Sequence, residues 1–294
     1  MVFLIACSSA SIESQAPLAH SYEVESVETE LQLEEISDES NRLIEKLRGY
    51  NARRIVASYH DILGYTDAQC PEIYEVDGNS VWYGYCSSDQ GLYFDGYLFF
   101  NTHTDYDLFS DGSLWDMEIL SASSDISHGD YGAVHYGGNA YFGEGVNADG
   151  AALFFSSVQG SFLVENADED WLREGFSPLL NLYGIRYETP LGAARGISIN
   201  GSLPYDGDYI RALSFDNVLL FDERIGFPCP LEPIGTVSIR TREGLWLDVQ
   251  FDVDESWSLT GECDGCGRAH SSSGEEYDIC LDVHSLISWE ASPW

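Results

Sequence analysis

The chain has 294 residues, and its 44% hydrophobic and 13% aromatic content is enough to build a core, which excludes wholesale disorder. The 13 basic and 50 acidic residues give a formal net charge of −37. Such a chain repels phosphate backbones, so we expect no nucleic-acid partner. The length allows one large domain or two small ones.

The amino terminus carries the first motif. An apolar run ends in Leu4-Ile5-Ala6-Cys7, which resembles the lipobox of bacterial lipoproteins. In that family the cysteine is lipidated, so the resemblance implies a lipid on Cys7 and the membrane as a partner. Ser8 in the next position favours the outer membrane by the same resemblance. The segment before Cys7 is shorter than a secretory signal requires, so we expect the true start codon to lie upstream. The alternative is an apolar amino terminus that arose by chance on a cytosolic protein.

Four parts follow one another along the chain. Residues 1–21 are the signal remnant and a small, polar tether, and residues 22–63 are an acidic segment and a helix. Apolar residues at steps of three and four predict that helix from Asp38 to Leu63, with Gly49 as its weak point. Residues 64–222 are predicted as an antiparallel β domain. Residues 223–294 are predicted as a cysteine-rich β extension of the same domain.

From Glu72 onward the pattern is one of strands and turns. The candidate strands are 80–85, 92–101, 114–120, 133–142, 152–165, 179–188, 196–203, 209–221, 236–240, 245–253 and 277–283. Glycines in the middle of three of them, Gly96, Gly160 and Gly201, indicate a bulge or a sharp coil of the sheet. No long helical pattern alternates with the strands, which argues against a parallel α/β fold. The predicted class is mainly β, a curled antiparallel sheet or sandwich with one N-terminal helix.

The remaining cysteines are even in number once Cys7 is set aside, which is typical of disulfides formed in an oxidising compartment. They are Cys70, Cys86, Cys229, Cys263, Cys266 and Cys280. The simplest pairing joins Cys70 to Cys86, while the last four allow three connectivities. Those four also have the spacing of a zinc site, and the C-x-x-C turn within them is compatible with a redox couple. Structural disulfides are the favoured interpretation, and no metal or cofactor is predicted.

No local motif identifies a catalytic residue. The seven histidines form no H-x-H or H-E-x-x-H pair, and no nucleophile elbow or phosphate loop is present. His103 and His128 each precede a carboxylate by two residues (Asp105 and Asp130), a spacing common by chance. Two acidic loops begin like calcium-binding loops, at Asp105-x-Asp107 and Asp252-x-Asp254, but neither continues with the required ligands.

Most of the chain after Cys70 resembles a group of uncharacterised, acidic, cysteine-containing lipoproteins of deltaproteobacteria. The resemblance implies an envelope location and a β-rich fold, and it carries over no catalytic residue. The residues that carry it are Tyr74-Glu75-Val76-Asp77-Gly78-Asn79, Asn147-Ala148-Asp149-Gly150-Ala151, Phe215 to Glu223, Pro228-Cys229-Pro230-Leu231-Glu232-Pro233, Gly235 to Arg240, Gly244 to Val249, Cys263-Asp264-Gly265-Cys266-Gly267 and Trp289 to Trp294.

We therefore expect an exported, membrane-anchored lipoprotein without enzymatic activity, which acts through its surface or binds a hydrophobic ligand or another envelope protein. The alternative is an exported polysaccharide hydrolase that uses paired carboxylates. For that alternative, Trp82, Tyr83, Tyr85, Tyr93 and Tyr97 are candidates for a sugar-binding face, although the aromatic content of a half-buried sheet explains them equally well.

The predicted architecture also suggests a hypothesis in which the protein binds a lipid. A helix followed by an antiparallel meander resembles the periplasmic lipoprotein carriers, whose concave sheet face holds acyl chains. This hypothesis requires a gap that the helix leaves open, and the inner residues that would line it are Leu98, Phe100, Phe154, Phe162 and Leu219. In the competing hypothesis the helix fills the sheet and these residues form an ordinary core.

Overall fold

A computed structural model describes residues 31–49, 52–76, 79–107, 113–147, 149–165, 179–189, 192–222, 226, 229–254, 256 and 258–291. The lipobox, the tether and most of the acidic segment lie outside these residues. Within the described part, no helix is both long and apolar enough to cross a membrane.

Among the residues that the structure describes, two helices precede the sheet, where the sequence predicts one. Helix α1 spans Leu33–Gly49 and helix α2 spans Ala52–Leu63. Glu34 and Glu35 occupy the first turn of α1, where the partial positive charge of a helix start favours acidic side chains, and α1 begins earlier than the apolar periodicity indicates. The predicted weak point at Gly49 is the last residue of α1.

Thirteen strands follow in the described part of the chain, and each pairs antiparallel with the next. They are β1 (Glu72–Val76), β2 (Asn79–Ser87), β3 (Tyr93–Tyr106), β4 (Leu114–His128), β5 (Gly132–Val146), β6 (Ala152–Glu165), β7 (Leu179–Thr189), β8 (Gly192–Pro204), β9 (Ile210–Phe221), β10 (Ile234–Thr241), β11 (Trp246–Phe251), β12 (Cys266–Ser271) and β13 (Glu276–Cys280). A 3₁₀ helix, Val283–Ala291, follows β13. The predicted class, mainly β with an antiparallel sheet and an N-terminal helical segment, is confirmed.

The sheet has to coil to form one core. Thirteen strands spaced by about 4.8 Å would span about 58 Å if the sheet were flat, far more than two helices cover. Residues from both helices and from nearly every strand nevertheless belong to one buried cluster. The three predicted glycines contribute to this shape, because Gly96, Gly160 and Gly201 have φ of 124°, 117° and 127°. A Cβ atom at any of them would collide with the backbone of the neighbouring strand.

Helix α2 packs against the inner face of the sheet. The Tyr59 ring stacks on Phe100 with ring centroids 4.2 Å apart, and it also contacts Trp82. Leu98 and Phe162 are fully buried in the same cluster. These side chains therefore pack as an ordinary core, as in the competing hypothesis, and do not surround the gap that the carrier hypothesis requires.

The prediction that Leu219 is an inner residue is wrong, because its side chain does not face the main core. Its side chain packs against a separate small cluster that contains Cys229 and Ile234. Asn217 has φ of 50°, and the pairing of β9 with both neighbours is irregular around it. The irregularity shifts the alternation by one residue, so that Val218 enters the core and Leu219 leaves it.

Three disulfides crosslink the chain, and they include the predicted Cys70–Cys86 bond. The other two join Cys229 to Cys263 and Cys266 to Cys280. A disulfide sulfur has no thiolate to offer a metal, so this pairing does not support the zinc alternative. Cys266 and Cys280 also face each other in the ladder of β12 and β13, so the predicted C-x-x-C turn, in which Gly265 has φ of 78°, leads directly into β12.

Candidate ligand cleft

An open cleft of about 600 Å³ lies at one end of the concave sheet face, beside the start of α2. The described helices leave this part of the face uncovered. The apolar wall consists of Leu114 from β4, Val146 from β5 and Ala152 and Phe154 from β6. Leu114 pairs with Val146 and Val146 with Ala152, so these side chains form a row across three strands.

Charged groups of both signs line the rest of the cleft. Arg53, the second residue of α2, lies with its Nη1 3.8 Å from Glu144 Oε1 and with its guanidinium over the Phe142 ring. Arg195 contributes a second cationic side chain from β8. The chain has only 13 basic residues, so two guanidinium groups in one cleft make it locally much less acidic than the protein as a whole.

Two carboxylates lie side by side in the cleft. Asp116 of β4 and Glu144 of β5 are direct partners in the strand ladder. The Cβ atoms of such cross-strand partners are about 4.5–5.5 Å apart. Like charges directly opposite each other are destabilising, and the Arg53 guanidinium near Glu144 offsets part of this repulsion. A pair of neighbouring carboxylates is also what glycosidases use as acid, base or nucleophile.

The histidines singled out in the sequence have structural contacts. His128 stacks on Tyr65 with ring centroids 3.9 Å apart. Its Nδ1 accepts the backbone N–H of Asp130, so its Nε2 donates to the carbonyl oxygen of Gln90. His103 hydrogen-bonds Asn101, its neighbour two residues away on β3. Neither histidine lines the cleft.

The acidic loop that starts at Asp252 forms a turn. Asp254 Oδ1 accepts hydrogen bonds from the backbone N–H groups of Ser256 and Ser258 and from the Ser256 hydroxyl. These bonds, the one from the Ser256 hydroxyl above all, hold the pKa of Asp254 below its usual range. The continuation of the other loop, at Asp111, lies outside the described residues. No group of three or more His, Cys, Asp or Glu in the described part is arranged to hold a metal ion.

The five aromatic candidates divide between two faces of the sheet. Trp82 is buried in the core, so it is part of a half-buried sheet and does not lie on a sugar-binding face. Tyr83, Tyr85 and Tyr97 are exposed on the opposite face, and Tyr93 contacts Tyr85 there. The sequence alternation identifies this division only after the strand bounds are known.

Two buried carboxylates have roles that no sequence motif indicated. Glu39 of α1 accepts three backbone hydrogen bonds from residues 208–210. Glu232 accepts the backbone N–H groups of Asp252 and Asp264, and burial raises its pKa. Both side chains bind backbone that is distant in the sequence and do not line the cleft.

Comparisons with protein-family models, with curated proteins and with solved structures find no match to this chain.

Proposed function

We propose that this protein is an exported lipoprotein of the cell envelope, anchored through a lipid on Cys7, and that it is a binding protein without enzymatic activity. The observation that carries the proposal is the set of three disulfides, which contains every cysteine of the described part of the chain. Cytosolic thiols are kept reduced, whereas disulfides persist in the periplasm and at cell surfaces.

The cleft supports a ligand-binding role. Its volume lies within the range of about 300–1,000 Å³ that small-molecule sites occupy. An apolar wall beside two arginines and three carboxylates (Asp105, Asp116 and Glu144) suits a ligand with a hydrophobic body and a polar or charged end. Such a ligand would occupy the end of the concave face and leave the core below α2 unchanged.

The anchor is tested by labelling with radioactive palmitate, using the gene with its upstream codons in a Gram-negative host. We expect label in the wild-type protein, in the membrane fraction, and none in Cys7→Ser. The Cys70→Ser variant is the matched control and should keep the label. An unlabelled wild-type protein, or one whose six other cysteines react with iodoacetamide without prior reduction, would contradict the proposal.

A second candidate, an exported polysaccharide hydrolase, is favoured by the Asp116–Glu144 pair in the cleft. If the chain is a hydrolase, release of reducing sugar from a panel of polysaccharides should fall at least a hundredfold in Asp116→Asn and in Glu144→Gln. The exposed Asp278→Asn is the control for loss of one charge. Activity that survives both cleft substitutions would assign the hydrolysis to a contaminant or to another site.

A further inference from the structure

The outer face of the first three strands exposes a cluster of tyrosines. We call the exposed residues Tyr74 of β1, Tyr83 and Tyr85 of β2 and Tyr97 of β3, together with Tyr93, the tyrosine face. Tyr83 and Tyr97 are direct partners in the ladder, and Tyr85 and Tyr93 meet edge to face with ring centroids 5.6 Å apart. The four exposed rings are between 46% and 76% accessible. So much clustered aromatic surface on an open sheet is unusual unless it binds something.

Carboxylates are interleaved with these rings. Glu72 pairs with Tyr83, and Asp95 lies between Tyr85 and Asp125 in the ladder. Strands β1 to β4 contain no lysine or arginine. A histidine of β5 contacts one of these carboxylates, since His135 Nδ1 is 2.7 Å from Asp125 Oδ1.

The titration of a tyrosine is consistent with these negative surroundings. The pKa of Tyr93 is raised to about 12, first by its hydrogen bond to Tyr85 and further by the charges of Asp95 and Asp125.

Aromatic rings and carboxylates on one surface favour the same class of group. A ring face attracts a guanidinium or ammonium through its quadrupole, and a neighbouring carboxylate attracts it by charge. We propose that the tyrosine face binds a Lys/Arg-rich segment of a partner protein. Charge complementarity identifies the occupant, because the strands of this face supply carboxylates and rings but no lysine or arginine to compete for them. The inference is independent of the cleft, which opens on the concave side of the sheet.

The test uses the purified, disulfide-bonded protein and fluorescent oligo-arginine and oligo-lysine peptides, with anisotropy measured at about 0.15 M salt. Because the whole chain is acidic, peptide binding alone does not decide the question, and its dependence on the tyrosines does. We expect the double variant Tyr83→Ser/Tyr97→Ser to weaken oligo-arginine binding about five- to tenfold without a change in net charge. Asp95→Asn should weaken it about two- to threefold and reduce its salt dependence.

Two matched controls keep the interpretation specific. Tyr106→Ser removes an exposed tyrosine at the far end of β3, and Asp278→Asn removes one exposed carboxylate from β13. Both should bind the peptide within a factor of about two of the wild type. The variants concern exposed positions and the half-buried Asp95, and unchanged circular dichroism and unfolding midpoints verify that each of them folds.

Three outcomes would overturn the inference. The first is peptide binding that is unaffected by the tyrosine substitutions, and the second is an equal loss in the controls. The third is binding of a neutral glucan oligosaccharide that depends on the same tyrosines while peptide binding does not, which would assign the face to carbohydrate instead.

Discussion

Glu39 of α1 fixes the helix to the turn between β8 and β9. The side chain is 6% exposed. Its Oε1 accepts the backbone N–H of Asp208 at 3.0 Å, and its Oε2 accepts those of Tyr209 and Ile210 at 2.7 and 2.8 Å. The substitution Glu39→Gln keeps the shape of the side chain but removes the charge, and it turns an amide N–H₂ toward a backbone donor.

The expected loss follows from these three contacts. A hydrogen bond to a charged group is worth about 1.5–3 kcal/mol, and a neutral one about 0.5–1.5 kcal/mol. The glutamine oxygen still accepts one or two of the bonds, while at least one buried N–H loses its acceptor. We therefore expect Glu39→Gln to lower the free energy of unfolding by about 2–4 kcal/mol.

Urea denaturation of the oxidised protein, followed by circular dichroism, measures this loss. Glu45→Gln is the matched control, because Glu45 is exposed on the same helix and should change the free energy of unfolding by less than about 0.5 kcal/mol. A loss below about 1 kcal/mol for Glu39→Gln, or one equal to that of the control, would refute the reasoning.

Three further predictions concern stability. The Ser58 hydroxyl donates to a backbone carbonyl and so accepts a hydrogen bond from the Tyr136 hydroxyl, which is fully buried. Ser58→Ala should lower the free energy of unfolding by about 1–3 kcal/mol. Adding Tyr136→Phe should recover part of this loss in a double-mutant cycle. Gly160 has φ of 117°, and a Cβ atom there would collide with the neighbouring strand. Gly160→Ala should therefore lower the free energy of unfolding, measured by thermal unfolding, by more than about 3 kcal/mol, against about 1 kcal/mol for a glycine in an open turn. Hydrogen bonds from the backbone, that of Gln69 first, hold the pKa of Asp67 below its usual 3.8, so its stabilising contribution is present above that pH and is lost as the pH falls through the lower native pKa. The difference in Tm between wild type and Asp67→Asn should accordingly stay constant from pH 7 to about 4 and narrow below; a gap that widens on acidification would contradict the assignment.

Local patterns in the sequence predicted eleven of the thirteen strands, the helical segment and the special glycines, because each depends on neighbours in the chain. The two strands that were not predicted, β1 and β12, are only five and six residues long. The Cys70–Cys86 bond was predictable because the two cysteines are close in the sequence and separate from the rest. The orientation of Leu219 was not, since one irregular residue at Asn217 reverses the faces of the residues after it. Nor was the role of Glu39, whose carboxylate binds backbone about 170 residues away.

The candidate cleft was not predictable from the sequence for a similar reason. Arg53, Asp116, Glu144 and Arg195 come from a helix and three strands, and no spacing between them is characteristic. Only the register of β4 against β5 makes Asp116 and Glu144 neighbours. Phe154 was identified as an inner residue, yet the structure shows that it lines the open end of the concave face rather than a gap beneath the helix.

The two proposed binding surfaces differ in how much they depend on α2, and this difference is measurable. Arg53 projects from α2 into the cleft, whereas the tyrosine face is built from β1 to β3 alone. Ser58→Ala loosens the packing of α2 against Tyr136, so amide exchange in α2 should become faster. The affinity of the tyrosine face for oligo-arginine should stay within about twofold of the wild type, because the hydrogen bond that is lost joins α2 to β5 and not to β1, β2 or β3. If peptide affinity falls together with the protection of α2, the peptide binds near α2 and not at the tyrosine face.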